Sequence, residues 1–417
     1  MSFDIALSGI QAINEQLDTI SNNIANAGTY GFKSSTSNFA SLYAGTQPSG
    51  VAVGSTSQSM DLAGGVVNTG NALDAAINGA GFFASKDITG QTLFSRVGLF
   101  SVNSAGFVVD GNGNRVQGNS ITPPSTLPGP LGDLPVPTGQ IPAVASTTLN
   151  YVGNLSADWT APAGAWVSPV AATPGVPAVE ADPTSYNMTK TSVVYDSLGA
   201  QHTLSQYFIA TGPGAATVQF VLDGTDLGQP ATLTFDATGQ ISSVNGAPPT
   251  GTPPQAPPVA LAITPTNGAN PIALNVNYTG TTDFAGDAVT ATNAANGYAS
   301  GTYTGLQLGQ DGSLIAQYSN GQKQSVGLVA VATFADQDAL TPTSDTSWTA
   351  SASSGTPNYS TPGVGTAGQL TTSSLEQSNV DITAELVSLM GAQNNYQANS
   401  KVIQTQDSML QSLMQAL

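Results

Sequence analysis

The chain closes on LEQSNVDITAELVSLMGAQNNYQANSKVIQTQDSMLQSLMQAL, residues 375–417, and the reading of this stretch decides what the rest of the fold must supply. Every seventh residue gives Leu375, Ile382, Leu389, Tyr396, Ile403, Leu410 and Leu417, all apolar, with Leu386, Val402, Met409 and Leu413 beside that line at helical offsets. Sevenfold apolar recurrence over this length marks a helix stripe made to face another helix. Asn379 can cap its start, and Asp381 and Glu385 put negative charge in the first turn, where the helix dipole favours it. Gln, Asn and Ser fill the remaining positions. At 1.5 Å per residue the helix extends roughly 50 Å, more than the core of one small domain can cover. Its partner must be sought elsewhere in the chain.

The N-terminus supplies a candidate. Phe3, Ile10, Leu17 and Ile24 form one seven-residue series, and Ala6, Ile13, Ile20 and Ala27 form a second. Together they alternate steps of three and four, the spacing of a coiled-coil seam. Everything between the two ends reads as strands and turns.

Composition narrows the function. The chain has 417 residues, enough for two or three domains, yet only 8% are charged, and it carries 46 glycines and 26 prolines. A net charge of −18 argues against nucleic acid or an anionic membrane surface as a partner. No apolar run approaches membrane-spanning length, so no membrane insertion is expected. There is no cysteine. No secretory leader is visible: Asp4 comes early and no Lys or Arg precedes Lys33.

Catalytic chemistry finds little to use. His202 is the single histidine, which rules out a multi-histidine metal site within one chain, and neither a phosphate loop nor a dinucleotide fingerprint occurs. Asp110-Gly111-Asn112-Gly113-Asn114 has oxygen ligands at alternate positions, but an EF-hand needs a Glu eleven residues after its first Asp, and Ile121 stands there. A tight hairpin turn is the better reading. No enzyme activity, metal or cofactor is expected.

After the first helix comes Ser21-Asn22-Asn23-Ile24-Ala25-Asn26-Ala27-Gly28-Thr29-Tyr30-Gly31-Phe32-Lys33. Taken alone this is a helix C-cap and loop. The string also resembles the N-terminal signature of the bacterial flagellar axial proteins, the rod and hook subunits. Ser378-Asn379-Val380-Asp381 and Tyr396-Gln397-Ala398-Asn399-Ser400-Lys401 are similar to that family's C-terminal signature, with Asn394 standing where the family often has Arg. Leu73–Phe83 and Leu93–Asp110 resemble its inner β domain. The hairpin from Val193 through Asp196-Ser197-Leu198-Gly199 to Phe208 resembles one in the outer domain of the hook-forming members.

The resemblance implies a mainly β fold with terminal α-helices: two nested β domains, inner and outer, and a coiled-coil-like domain formed by the N- and C-terminal helices. The expected divisions are 1–32 and 371–417 for the helical assembly domain and 33–70 for an extended connector. Residues 71–155 and 283–370 then form the inner β domain, and 156–282 the outer one. The segment 121–142 reads as a proline-rich linker or surface excursion, and 341–368 as a flexible return. The implied function is a structural subunit that polymerises with itself into the flagellar hook, exported without a cleaved signal peptide. Distal rod subunits, hook cap, hook–filament junction proteins and export apparatus are the implied partners. A distal rod subunit, or a secreted β-rich enzyme or adhesin, are the alternatives. The expected assembly interface is Phe3, Ile10, Ile13, Leu17, Ile20, Asn22, Asn23, Ile24 and Asn26 at one end, with Leu375, Ile382, Leu386, Leu389, Tyr396, Ile403, Leu410, Leu413 and Leu417 at the other.

Overall fold

Two α-helices bracket a chain otherwise built of β-strands and the turns and loops between them in the computed structural model, which describes residues 2–122, 125–172 and 177–416. The chain divides into two compact units. One comprises Met1–Thr138, Thr304–Gln317 and Lys323–Leu417; the other comprises Gly139–Tyr303 and Tyr318–Gln322.

In the first unit, α1 spans Ser2–Ala25 and α2 spans Ile382–Ala416. Asp381, not Asn379, caps α2: its Oδ1 accepts the N–H groups of Thr383 (2.9 Å) and Ala384 (3.2 Å). The helical stripe therefore starts later than its sevenfold pattern. Leu375 lies in the short strand Ser374–Glu376, paired antiparallel with Val66–Asn68, and it is buried there. Strand pairing satisfies the local backbone, and Ser373 enters it at φ 55°, outside helical geometry.

The expected connector is also more than a tether. Residues 35–58 form a long antiparallel hairpin, β1 (Ser35–Ala44) and β2 (Gln47–Gln58), turning at Gly45. Few of its residues alternate apolar with polar, so periodicity missed it. Side-chain hydrogen bonds, such as Asn38 to Ser55 and Ser57, supplement the backbone ladder. The hairpin is also tied to α1: Thr19 and Ser37 hydroxyls meet at 2.8 Å, and Val51 N–H donates to Ser8 Oγ at 3.2 Å.

The inner sheet orders its main strands as Tyr303–Leu308, Ser313–Tyr318, Lys323–Val329, Arg115–Ser120, Phe82–Lys86, Thr92–Ser95, Ser347–Thr349 and Thr341–Pro342. Phe82, Phe94, Ala332, Leu340 and Trp348 form a core with Met60, and Phe94 and Phe334 meet edge to face at 4.8 Å. Two expectations fail here. The return segment 341–368 is not a free run of small residues, because Trp348 is buried and donates Nε1–H to Gln58 Oε1 at 2.7 Å. The proline-rich stretch is pinned as well: Leu131–Asp133 pairs with Gln117–Asn119, and Leu134 and Val136 are buried.

One turn recurs through both units. Asp87, Asn103, Asp110, Asp196 and Asp236 each accept, through Oδ1, the N–H groups two and four residues ahead. A glycine with positive φ sits third after each (Gly90, Gly106, Gly113, Gly199, Gly239), a conformation costly for any other residue. The string at Asp110 is therefore a hairpin turn whose first carboxylate oxygen already serves two backbone donors.

The second unit is a β-sandwich. One sheet orders Met188–Tyr195, Gln201–Gly212, Ala215–Leu222, Ala231–Phe235 and Ile241–Val244; the other is built around Thr148–Ser156. Their facing sides bury Leu149, Tyr151, Phe208, Phe220, Leu274 and Tyr278, among others. The Tyr278 hydroxyl, deep in this core, donates to Gln206 Oε1 at 2.7 Å. The expected outer boundaries, 156 and 282, cut through this sheet. Thr148–Ser156 pairs with Ile272–Asn277, Thr282–Phe284 and Val289–Ala295, so the compact unit extends to Gly139 and Tyr303.

Candidate assembly interface

The two helices run antiparallel. Asn23 Nδ2 donates to Glu385 Oε1 at 2.8 Å near one end, while Gly9 faces Asn399 so closely that a Cβ there would lie 3.0 Å from Asn399 Nδ2. Between these points Ile13, Ile20 and Ala392 are buried, with Leu17, Ile24 and Leu389 packed against them. The predicted interface residues Ile13, Leu17, Ile20, Ile24 and Leu389 thus meet one another inside a single chain, with Ala392 among them. Small residues at Gly9, Ala12 and Ala392 let the backbones approach.

The remaining apolar positions have no such cover. Ile382, Leu386 and Met390 follow one another at steps of four, forming an exposed ridge beside the α1-facing side. Phe3, Ile5 and Leu7 are exposed on α1, Tyr396 and Val402 on α2, whereas Ile10 and Ile403 are half-buried. By the antiparallel register, about the last ten residues of α2 run past the start of α1. Met409, Leu410 and Met414 are exposed there. Leu417 and the Leu413 side chain lie outside the described residues.

The asparagines divide by role. Asn23 is buried; it bonds both N–H and C=O of Ser35 (2.9 and 2.8 Å) and fixes β1 to the end of α1. It is a positioning residue, not an outward contact. Asn26 folds back on its own helix, donating to Asn22 O at 3.0 Å, and Asn22 is exposed.

Beneath the helix pair lies a polar node that sequence reasoning missed. Glu376 is buried and accepts from Lys33 Nζ and Arg96 Nε, each at 2.8 Å, and from Gly64 N–H at 3.0 Å. Lys33 also donates to Leu62 O (2.7 Å), and Arg96 to the carbonyls of Gly79 (2.9 Å) and Gly81 (2.6 Å). Gly31 N–H reaches Glu376 O at 2.8 Å, at φ 67°; a Cβ there would lie 2.7 Å from Val97. Asn379 adds a bond from Ser34 N–H (2.7 Å) and donates to Ser59 O and Leu62 O. The Gly31-Phe32-Lys33 string thus locks the loop after α1 to the strand before α2. Burial pushes the Lys33 amine below its ordinary value, with Glu376 opposing that shift. Burial alone would raise the Glu376 carboxyl, but Arg96 and Lys33 hold it below the usual range.

A second titratable cluster sits in the sandwich. His202 Nδ1 lies 2.7 Å from Asp223 Oδ2 and Nε2 lies 3.3 Å from Asp196 Oδ2. Burial would lower the imidazole, but the two carboxylates outweigh it and raise it. Asp196, desolvated yet bonded by Asn267, Ala200 N–H and His202, is lowered to about 2. Flanked by two carboxylates, the His202 ring ties the Asp196 and Asp223 turns together. Among the described residues no group of His, Cys, Asp or Glu is arranged to hold a metal.

Terminal helices joined by such a node, with β units inserted between them, match four family models in chain order. They are "Flagella basal body rod protein" at residues 3–33, "Flagellar hook protein FlgE/F/G D1 domain" at 76–157, "Flagellar basal body protein FlaE D2 domain" at 160–298 and "Flagellar basal body rod FlgEFG protein C-terminal" at 371–416. Fold and models together define the class, that of the rod and hook proteins of the bacterial flagellum. The flagellar hook protein FlgE of Escherichia coli K12 is 35% identical across 99% of both chains, and that of Salmonella typhimurium 34% across 99% of both. The chain belongs to the flagellar hook protein family. The hook protein FlgE2 of Helicobacter pylori shares the fold at a TM-score of 0.51 and 12% identity, over 73% of this chain and 98% of that one. No helix among the described residues is long and apolar enough to cross a membrane.

Proposed function

We propose that this chain is the structural subunit of a flagellar hook, a tube of its own copies that transmits torque while bending. The observation that carries this reading is the apolar surface left on the two helices: Ile382, Leu386, Met390, Met409, Leu410 and Met414, with Phe3, Ile5 and Leu7. Exposed apolar area of this extent on a helix pair marks a site of association. Neighbouring copies would cover it in a coiled-coil-like inner layer, and the pair, with few apolar side chains buried between its helices, would gain most of its order on assembly.

The further partners are those of a hook: distal rod subunits below, cap and junction proteins above, and the flagellar export apparatus, which would pass the chain outward without a cleaved signal peptide. Bending requires subunits to slide. With seven Lys and Arg in the chain, specific ion pairs are few, and Ser, Thr, Asn and Gly surfaces accept several packings of similar energy.

Leu386→Asp with Met390→Asp tests the reading. Both side chains are exposed in the monomer, so its β circular dichroism should not change. Buried at a repeated seam, each unpaired carboxylate would cost several kcal/mol or take up a proton. Electron microscopy should show no tubes; wild-type tubes from this variant would refute the seam.

A further inference from the structure

Six asparagines in the chain are followed directly by glycine: Asn78, Asn112, Asn245, Asn267, Asn296 and Asn320. In such a pair the missing Cβ lets the next backbone nitrogen approach the asparagine side-chain carbonyl, the first step in losing its amide. That step needs a side chain free to swing and a backbone free to turn beneath it. Four of the six have the side chain tied. Asn245 Oδ1 accepts Thr232 N–H at 2.8 Å, and Asn267 binds Asp196 and the Ala269 N–H. Asn296 Oδ1 accepts the N–H groups of Thr147 and Thr148 at 2.9 and 3.0 Å. Asn320 is held at both ends, donating to Ala299 O at 2.7 Å and accepting Gln322 N–H at 3.1 Å. Asn78 fails on the backbone instead. It ends strand Ala75–Asn78, paired with Gln369, and Arg96 clamps the Gly79 and Gly81 carbonyls just beyond it.

Asn112 meets both conditions. It is exposed in the turn that follows Asp110, and its side-chain amide has no hydrogen-bond partner among the described residues. The space beside the Gly113 Cα is open. Gly113 N–H makes one local bond, to Asp110 O at 3.0 Å. Asn320 is the matched opposite. Gly321 N–H makes the same kind of bond, to Tyr318 O at 2.9 Å, and its φ is 79° against 85° at Gly113. The two turns thus differ in what holds the asparagine side chain.

We propose that Asn112 is a self-modification site, converted with time to aspartate and isoaspartate. The Gly113 amide gives its proton to solvent, and its nitrogen attacks Asn112 Cγ. The Cγ–Nδ2 bond breaks, and the amine takes a proton from water and leaves as ammonia. Water then opens the cyclic imide at one carbonyl or the other, and nothing is oxidised or reduced. The product places a new carboxylate in an open cleft of about 490 Å³ that Asp110 and Asp345 already line, with Asn26 and Tyr30. The isoaspartate form also adds a methylene to the backbone of the turn between strands Val108–Val109 and Arg115–Ser120. The proposal stands independently of the polymer reading.

The test incubates the folded full chain in mildly alkaline buffer made with heavy-oxygen water, then follows each Asn-Gly peptide by mass spectrometry. The heavy label marks carboxylates formed during the incubation. Asn112 should convert about tenfold faster than Asn320, the rate worth of one or two neutral hydrogen bonds that must break first. The rate should rise with pH, because attack requires the deprotonated amide. In denaturant the two sites should convert at similar rates, and Asn112→Gln should remove the labelled product from this turn alone. An Asn112 that stays intact in the folded chain, or an Asn320 that keeps pace with it there, would overturn the proposal. So would a gap between them that survives denaturation, since the fold would then not be its cause.

Discussion

The sandwich of Gly139–Tyr303 and the helical ends solve the same problem differently. The sandwich closes on itself: two sheets bury a continuous apolar core, and even the Tyr278 hydroxyl at its centre has a partner. Among the described residues the helix pair buries Ala6, Ala12, Ile13, Ile20 and Ala392 and leaves a larger apolar set in water. Its firmest attachment is polar, through Glu376, Lys33 and Arg96. A region that is finished as a monomer needs no neighbour. One that is unfinished is shaped for neighbours, and its buried charges fix where the helices leave the β structure.

The largest separation between the two should come from single core substitutions. Glu376→Ala strands two buried cations, a loss of about 3–5 kcal/mol, and should abolish or sharply lower the unfolding transition of the helical unit. The sandwich transition should stay where it is. Phe208→Ala, at about 3–5 kcal/mol, should do the reverse. Calorimetry resolving the two transitions checks both variants, and a joint shift from either would show that the units do not unfold independently.

A smaller effect should appear with pH, again confined to the sandwich. The His202 pKa is raised on folding, so its contribution is complete below the ordinary histidine value near 6.5 and is lost as pH rises through the raised value. Stability of the sandwich should therefore decline on the alkaline side, and His202→Gln should remove that dependence. A slope that persists in the variant would assign it elsewhere. Asp196 acts at the other extreme: its contribution is lost only as pH falls toward about 2.

Much of this architecture is legible in the sequence. Sevenfold apolar spacing located both helices, and the absence of any other long helical pattern marked the chain between them as strands and turns. The signature around Asn23 and Lys33 pointed to the family. The hairpin β1–β2 was illegible because its order comes from backbone pairing and Ser/Asn bonds, which leave no apolar period. Glu376 was illegible for a different reason: a carboxylate beside Leu375 reads as a surface residue until Lys33 and Arg96 are folded around it. Leu375 itself kept the sevenfold register by coincidence of spacing, while strand pairing with Val67 set its structure.

The smallest expected effect concerns strain in the helical unit's own sheet. Thr346 adopts φ 50°, unfavourable for a β-branched side chain, in the turn whose carbonyl accepts from Ser95 Oγ at 3.0 Å. Thr346→Gly should relieve that strain and raise the first unit's transition by about 1 kcal/mol, offset in part by greater freedom of the unfolded chain. A destabilised variant would mean that the Thr346 side chain contributes more than its backbone costs.

Hydrogen exchange measured on monomers and on assembled tubes tests the central claim most directly. Amides of α1 and α2 should exchange rapidly in the monomer and become protected in the tube, most of all along 382–390 and 402–414. Amides in the sandwich core, such as those of Gln206 and Phe208, should be equally protected in both states. Helices already as protected as the sandwich in the monomer, with no gain on assembly, would contradict the account.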